Sequence, residues 1–198
     1  HYIRNHKFRI MRCNWSTSNA LMINYHDTEW GVPVHDDQLL FEHFCLDCFQ
    51  AGLSWQTILN KREYFRLAFD HFNIKKVAGY GSEKIDQLLQ NKGIIRNRLK
   101  IEAAINNANR IIEIQLEQGS FDSYIWSFTR GESIRNKFSR MSDIPATSSV
   151  SDAMSKDLKR RGFTFVGPTI CYAFMQAVGM VNDHTTDCFR HRELARHR

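Results

Sequence analysis

The chain has 198 residues, of which 42% are hydrophobic and 24% are charged, a composition that fits an ordinary globular protein of one domain or two tightly packed lobes. It has no run of about 18 apolar residues and no apolar leader segment, which argues against a membrane protein and against a secreted one. A net charge of +6 favours an anionic partner such as nucleic acid. Five scattered cysteines, an odd number, predict reduced thiols and a cytoplasmic protein.

The two ends of the chain differ from the region between them. Residues 1–10 are basic and lack hydrophobic periodicity, and Met11 looks like a natural start, so this segment is either a native basic extension or a remnant of cloning. Residues 11–189 are predicted to form a single domain. Residues 190–198 form a basic tail, which is either a disordered segment or one that adds nonspecific contacts to phosphates.

Hydrophobic spacing and capping residues predict helices along the whole domain. Asn19 caps the first, at 20–26, and Asp36 and Asp37 cap a second that is apolar around most of its surface and therefore buried. The later helices are expected at 55–69, 74–78, 83–90, about 96–118, 121–128, 152–161 and 169–178, with caps at Ser54, Asn73, Ser82 and either Ser149 or Ser151. Strand alternation is weak and confined to 163–166, so the predicted class is all-α.

One acid stands in an otherwise apolar stretch, residues 46–55. Asp47 lies on the buried second helix, where a carboxylate is costly unless it is paired or hydrogen-bonded. In one interpretation it caps a helix or pairs with a lysine or arginine, and in the other it is placed in a pocket for chemistry or recognition. Gly52 then allows a helix end or a close backbone approach. Cys45 and Cys48 have bulky neighbours and are interpreted as buried structural cysteines.

A second candidate site is the turn at Gly93, between the predicted helices 83–90 and 96–118. Two helices joined by a tight glycine turn make a helical hairpin. The second helix begins with Arg96, Arg98 and Lys100, close to backbone N–H groups that lack partners within the helix, and such a helix start suits a phosphate. The alternative is a hairpin with a solvated basic face, and the pattern alone does not decide between the two.

Cysteine and histidine recur near both ends of the domain. Cys13 and His26 lie near its start, and His184 and Cys188, about one helical turn apart, lie near its end. Two cysteines and two histidines make a closed tetrahedral zinc site, which would tie the two ends together in a structural role. Nine histidines and five cysteines also give many accidental pairs, so spacing alone leaves this site open.

Six segments of the chain carry long and specific sequence matches. They are 25–33 (YHDTEWGVP), 50–55 (QAGLSW), 93–96 (GIIR), 126–128 (WSF), 161–167 (RGFTFVG) and 182–184 (NDH). In this order they resemble the 3-methyladenine DNA glycosylase I family, from Met11 to about Cys188. The resemblance implies an all-α helix-hairpin-helix glycosylase that acts on double-stranded DNA carrying alkylated adenine and releases 3-methyladenine, and we expect a monomer. It also implies a structural Zn²⁺ ion bound by Cys13, His26, His184 and Cys188.

The resemblance also assigns the contacts with DNA. The hairpin at Gly93 is implied to bind DNA phosphates, with Arg96 and Arg98 beside it. Gly52 and Leu53 would lie at the DNA junction, where Leu53 fills the gap left by a flipped nucleotide.

The implied substrate explains why the chain is rich in aromatic residues. A base alkylated at N3 of adenine carries positive charge, so its glycosidic bond is already weak. Such a ring favours electron-rich aromatic faces and a nearby carboxylate. Asp47 is the implied catalytic carboxylate, and Tyr25 and Trp55 are the expected stacking partners. Trp15 and Trp30 are further candidates for base binding, although core packing explains Trp30 equally well.

Three residues depart from the family pattern. Asp47 stands where the family usually has glutamate, so the carboxylate retreats by about 1.5 Å, comparable to the rise of one helical residue. Cys48 replaces a glycine and narrows the same region, and Met22 replaces a frequent tyrosine, which removes one pocket ring. These changes leave a second interpretation, a catalytically weak protein that binds a lesion or a free base on the same fold.

Two chemical requirements separate the enzyme hypotheses. No lysine stands where family analogy would place a Schiff-base nucleophile, so we expect a monofunctional enzyme that does not cut the strand. A zinc hydrolase, the third hypothesis, needs an open coordination position, which an ion closed by four protein ligands does not offer.

Overall fold

The computed structural model describes residues 10–195, so residues 1–9 of the expected N-terminal extension and residues 196–198 of the basic tail lie outside it. The helices of the described part are α1 (Ala20–Thr28), α2 (Asp37–Gln50), α3 (Trp55–Ala68), α4 (Ile74–Ala78), α5 (Ser82–Gln90), α6 (Arg98–Gln118), α7 (Phe121–Ser127), α8 (Ser149–Arg160), α9 (Pro168–Ala177) and α10 (Phe189–Leu194). Two short strands, β1 (Ile134–Arg135) and β2 (Val181–Asn182), pair in parallel. The predicted all-α class is confirmed. Between residues 10 and 195, no helix is long and apolar enough to cross a membrane.

Helix α2 is the centre of the fold. Every residue from Leu40 to Phe49 is buried, as the apolar spacing predicts. Helices α3, α6, α7 and α9 pack around it. Asp36 caps its first turn by accepting a hydrogen bond from a backbone N–H group, and Cys45 and Cys48 are buried as expected. Helix α2 thereby places Asp47 in the interior of the protein.

Local capping signals set the start of three further helices. Asn19, Ser54 and Asn73 each accept a hydrogen bond from a backbone N–H group in the first turn of the following helix, as predicted. Because these side chains fix where α1, α3 and α4 begin, they also fix which residues of each helix face the interior.

Two predicted caps are wrong. Ser82 is the first residue of α5 rather than its cap, which is Gly81. Helix α8 is capped by Ser148, not by Ser149 or Ser151. The Ser148 hydroxyl accepts from the N–H of Ser151 at 3.2 Å, and the Ser151 hydroxyl accepts from the N–H of Ser148 at 2.8 Å. This reciprocal capping box satisfies two backbone donors, and the helix begins at Ser149, three residues before the predicted start.

The weak strand predicted at 163–166 is a loop. Side chains satisfy its backbone: Asn107 accepts from the N–H of Thr164 at 2.9 Å and donates to the carbonyl oxygen of the same residue at 3.0 Å. The Ser155 hydroxyl donates to the carbonyl oxygen of Val166 at 2.6 Å. Because α6 and α8 supply these bonds, the segment needs no strand partner.

Candidate active site and metal centre

A cavity of about 250 Å³ opens between α1, α2, α3 and α9. The five residues that the sequence resemblance assigns to catalysis and base binding all line it: Trp15, Tyr25, Trp30, Asp47 and Trp55. They come from three helices and the segments beside them, so the fold brings together residues that are distant in the chain.

Aromatic rings form much of the cavity wall. The ring centroids of Tyr25 and Trp55 lie 5.1 Å apart with an interplanar angle of 43°, and those of Trp15 and Trp30 lie 5.1 Å apart, edge to face. Trp30 is only 8% exposed and also packs edge to face on the ring of His184. Trp30 therefore contributes both to the cavity wall and to packing, and its binding of a base stays a prediction.

Asp47 has no hydrogen-bonding or ion-pair partner among residues 10–195. The residue is 5% exposed, and its Oδ2 atom is buried without a hydrogen bond. Burial raises the pKa of Asp47 well above its ordinary value, because no nearby cation or donor offsets the loss of hydration. The interpretation of Asp47 as a helix cap or ion-pair partner is therefore wrong. The indole Nε1 of Trp55 is likewise buried and unbonded, so two polar groups that lack partners within residues 10–195 line one cavity.

The turn after α2 presents an apolar side chain to solvent. Gly52 has a φ of +80°, which favours glycine, and Leu53 is 41% exposed. The Nζ of Lys100 donates to the carbonyl oxygens of Phe49 at 2.8 Å and Ala51 at 2.6 Å. These carbonyl groups lie at the C-terminal end of α2, where the helix dipole favours a cation. Of the three basic residues at the start of the second hairpin helix, Lys100 therefore fits neither the phosphate site nor the solvated basic face, since its ammonium is buried against α2.

The segment between α5 and α6 forms the expected helical hairpin. A Cβ atom added at Gly93 would lie 2.9 Å from the Cβ and Cγ atoms of Tyr64, so only glycine fits there. Arg96 and Arg98 are exposed beyond the turn. Arg98 pairs with acidic side chains of α5 and α6 at N–O distances of 3.0 and 3.4 Å. Exposed pairs of this kind are weak, so a phosphate can compete for the guanidinium.

Cys13, His26, His184 and Cys188 form one buried cluster whose ligand atoms all lie within 4.8 Å of one another. Nε2 of His26 and Nδ1 of His184 are 3.2 Å apart, and Sγ of Cys188 lies 3.5 Å from each. Tetrahedral bonds of about 2.0 Å to nitrogen and about 2.3 Å to sulfur imply ligand separations of about 3.3–3.8 Å. A hydrogen bond between the two thiols lowers the pKa of Cys188 and raises the pKa of Cys13, which favours a thiolate, the form that binds metal, at Cys188. The cluster therefore fits a tetrahedral metal ion.

The outer nitrogen of each imidazole is bonded to an acceptor, which fixes the ring. Nδ1 of His26 donates to Oδ1 of Asp27 at 2.7 Å, and Nε2 of His184 donates to the carbonyl oxygen of Trp30 at 2.9 Å. Each ring thus turns its unprotonated nitrogen toward the cluster, as in metal sites with bonded histidine ligands. The carbonyl of Trp30 links this centre to the wall of the cavity.

The chain matches known proteins over most of its length. Residues 15–191 match the family model described as methyladenine glycosylase. The chain belongs to the methyladenine glycosylase family. DNA-3-methyladenine glycosylase 1 of Escherichia coli (strain K12) is 48% identical over 177 residues, which cover 89% of this chain and 95% of that protein.

Solved structures of the family share the fold. A crystal structure of 3-methyladenine DNA glycosylase I has a TM-score of 0.88 at 48% identity and covers 90% of this chain and 98% of that one. A variant of 3-methyladenine DNA glycosylase I, crystallised in complex with 3-methyladenine, has a TM-score of 0.87 at 35% identity and covers 90% and 96% of the two chains. The glycosylase fold implied by the sequence motifs is confirmed.

Five further residues line the cavity although the sequence analysis gave none of them a role there: Gln50, Met141, Ala173, Gln176 and Ala177. Three of them lie on α9 at steps of three and four, so one face of that helix forms the wall. The apolar pattern of α9 indicates burial but not which face meets a cavity. Met141 begins a short 3-10 turn, Met141–Asp143, which is too short for hydrophobic periodicity to give a signal.

A larger depression of about 980 Å³ lies beside Pro33, His35, Trp126 and Arg135. The rings of His35 and Trp126 stack at a centroid distance of 4.5 Å, and Nδ1 of His35 is bonded to Asp122. None of the described side chains lining this depression is a buried polar group without a partner. Two such groups, on Asp47 and Trp55, line the smaller cavity instead.

Proposed function

We propose that this protein is a monofunctional DNA glycosylase that hydrolyses the N-glycosidic bond of 3-methyladenine in alkylated double-stranded DNA. The observation that carries the proposal is Asp47, a buried carboxyl that has no partner in the described part of the chain and that lines a cavity walled by aromatic rings. Such a group is costly to bury unless a ligand completes its bonding. The related glycosylase crystallised with 3-methyladenine supports this base as the ligand.

The alkylated base supplies much of the driving force for its own release. Because N3 alkylation leaves a positive charge on the ring, the electron pair of the C1′–N9 bond departs with the base and neutralises it. Water then forms a bond to C1′ and loses a proton, which gives an abasic site and free 3-methyladenine. The protein has to extrude the base from the stack and hold it during this exchange.

In this proposal Asp47 is the catalytic residue, and its carboxylate faces the cationic ring. Tyr25 and Trp55 stack on the base, while Trp15 and Trp30 complete the wall. Burial favours the neutral acid in an empty cavity, whereas an entering cation favours the carboxylate, since opposite charges attract strongly away from water. A neutral, undamaged adenine gains less from the same site, so the cavity selects charged bases.

Asp47 is one methylene shorter than the glutamate usual in the family. The acid then ends about 1.5 Å farther from the ring, roughly one helical rise, and a water-bridged hydrogen bond can replace a direct one. We propose that the enzyme keeps its activity, with an altered affinity or lesion range. The alternative, a protein that binds the base without releasing it, rests on this shorter acid.

Two exposed features would engage the DNA. Leu53 follows Gly52 in the turn after α2 and would fill the gap left by the extruded nucleotide, since its side chain is already exposed. Unstacking costs on the order of a few kcal/mol, and an apolar wedge offsets part of that cost. The hairpin turn at Gly93 would approach the phosphates, with Arg96 and Arg98 supplying positive charge.

We propose Zn²⁺ as the ion of the metal centre, because two cysteines and two histidines are a donor set that suits it. All four positions belong to the protein, so the ion would have no open position for water and would act structurally. It would hold the segment before α1 against the segment after β2, next to Trp30. This closed set does not support a zinc hydrolase.

The experiment that tests the function is base release from DNA treated with a methylating agent, with the released bases separated by chromatography. The proposal expects free 3-methyladenine and a strand that stays intact until alkali cleaves the abasic site. Undamaged DNA should release no adenine. Tight binding of methylated DNA without base release would contradict the proposal and favour the lesion-binding alternative. A role in DNA repair agrees with the expected cytoplasmic location.

A further inference from the structure

One face of α9 brings a polar group to the base cavity. Ala173, Gln176 and Ala177 line the cavity, and the two alanines leave room for a ligand, so Gln176 is the polar side chain of this face. Its Nε2 atom donates to Oδ2 of Asp183 at 2.9 Å. The amide is therefore anchored at its nitrogen end.

Asp183 fixes which end of the amide is left for a ligand. Its buried carboxylate also accepts from the hydroxyl of Tyr172 at 2.6 Å and from Nδ2 of Asn136 at 2.6 Å. A carboxylate can only accept, so the nitrogen of the Gln176 amide has to face it. Oε1 of Gln176 is then directed away from Asp183, and it makes no hydrogen bond with any residue in the described part of the chain.

We infer that Oε1 of Gln176 is a fixed acceptor that reads the 6-amino group of the extruded adenine and thereby selects against guanine. The inference rests on the proposed function. The carboxylate of Asp47 and Oε1 of Gln176 are both acceptors, and a 6-amino group offers two N–H donors. 3-Methylguanine is also cationic but has an oxygen at position 6, so two acceptors would face each other and both would lack a partner. Charge selects alkylated bases, and Gln176 selects adenine among them.

Gln50 provides a matched comparison within the same cavity. Its side chain lines the wall but is held by no hydrogen bond among residues 10–195. The amide can therefore rotate and present either its nitrogen or its oxygen, which suits both bases. The same glutamine-to-methionine change at the two positions separates loss of a fixed acceptor from a general loss of polar lining.

The test uses DNA methylated to contain both 3-methyladenine and 3-methylguanine, with release of each base measured in one reaction of the full chain. Gln176→Met is expected to lower the ratio of adenine to guanine release by about ten-fold or more, chiefly through slower release of 3-methyladenine. Gln50→Met is expected to slow both bases and to leave the ratio within about two-fold, since a rotating amide serves both. An unchanged ratio in Gln176→Met overturns the inference, whereas release of neither base by the unmodified protein overturns the proposed function.

Two further measurements complete the test. Asn136→Leu removes a donor to Asp183 without changing a residue that lines the cavity, so the ratio should stay unchanged. A fall as large as that of Gln176→Met would overturn the inference, because this variant leaves the Gln176 amide and the Oδ2 atom that anchors it unaltered. If Gln176→Met does not fold, the unmodified protein is inhibited with free 3-methyladenine and with 3-methylhypoxanthine, which has an oxygen at position 6. Inhibition by 3-methyladenine should be about ten-fold stronger or more, and equal inhibition overturns the inference.

Discussion

The ammonium of Lys100 donates a hydrogen bond of 2.6 Å to the carbonyl oxygen of Ala51, which connects the start of α6 to the turn that carries Leu53. Lys100 follows the hairpin at Gly93, and Ala51 precedes Gly52. The two surfaces proposed to meet DNA are therefore linked by one buried side chain.

Lys100→Met keeps the length of this side chain but removes its donor. The carbonyl groups at the end of α2 then lose a partner, which should lower the free energy of unfolding by about 1–3 kcal/mol. Base release from duplex DNA should also fall, because the turn with Leu53 is less firmly held. Urea unfolding and base release measure the two effects. Lys75→Met, at an exposed lysine of α4, is the control and should change neither the stability nor the rate of base release. Unaltered stability in Lys100→Met would contradict a stabilising role of the hydrogen bonds from Lys100 to the end of α2.

The burial of Asp47 predicts a pH-dependent cost to stability. Because its pKa is raised in the native state, the folded protein keeps this proton over a pH range in which the unfolded chain has lost it. Unfolding free energy should therefore fall as pH rises through that range. Asp47→Asn removes the ionisation, so its stability relative to the unmodified protein should improve by about 1.4 kcal/mol per pH unit until the raised pKa is reached. Urea unfolding of both proteins at several pH values measures the difference, and a constant difference would argue against a buried, unpaired acid.

Leu53 should matter for duplex DNA in particular. Leu53→Ala removes most of the proposed wedge, so release of 3-methyladenine from duplex DNA should slow by about ten-fold, equivalent to part of the unstacking cost of a few kcal/mol. Release from single-stranded DNA should change less, because no stacked partner strand has to be parted. Leu116→Ala, at a leucine of α6 that is 83% exposed, is the matched control. Equal slowing on both forms of DNA would show that Leu53 is not a wedge.

The metal centre predicts one zinc ion per chain. Cys188→Ser should lose the ion and lower the melting temperature by about 10 °C or more, since a loss of several kcal/mol shifts a chain of this size by that amount. Elemental analysis and thermal unfolding measure both quantities. Cys45→Ser, at a buried cysteine outside the cluster, should keep the zinc. A Cys188→Ser protein with a full complement of zinc would contradict the assignment.

Local signals account for what the sequence predicted well. A capping side chain and the N–H it accepts are close in the chain, so Asn19 and Asp36 mark their helix starts without tertiary information. The apolar spacing of α2 likewise predicts a buried helix and therefore the burial of Asp47. The meeting of Asp47 with the aromatic rings followed from motif resemblance, because no local pattern brings α1, α2 and α3 together.

Distant partners account for what the sequence could not predict. In the sequence, Lys100 stands in the first turn of a helix, a position typical of a phosphate ligand. In the structure its ammonium instead binds the carbonyl groups at the end of α2. Gln176 is one polar residue in an apolar helix, and its importance depends on Asp183, which lies beyond the end of that helix. Neither relationship has a local signature, since each depends on how separate helices pack.

Release of 3-methyladenine from methylated duplex DNA by Asp47→Asn is the most direct test of the central claim, that an unpaired buried carboxylate serves the cationic base. Asp47→Asn is expected to lower the rate by about 100-fold or more, the scale for losing one electrostatic group in an active site. Asp47→Glu, which restores the residue usual in the family, should remain active, and Asp152→Asn, at an exposed acid of α8, should match the unmodified protein. An Asp47→Asn protein that releases the base at the unmodified rate would contradict the claim.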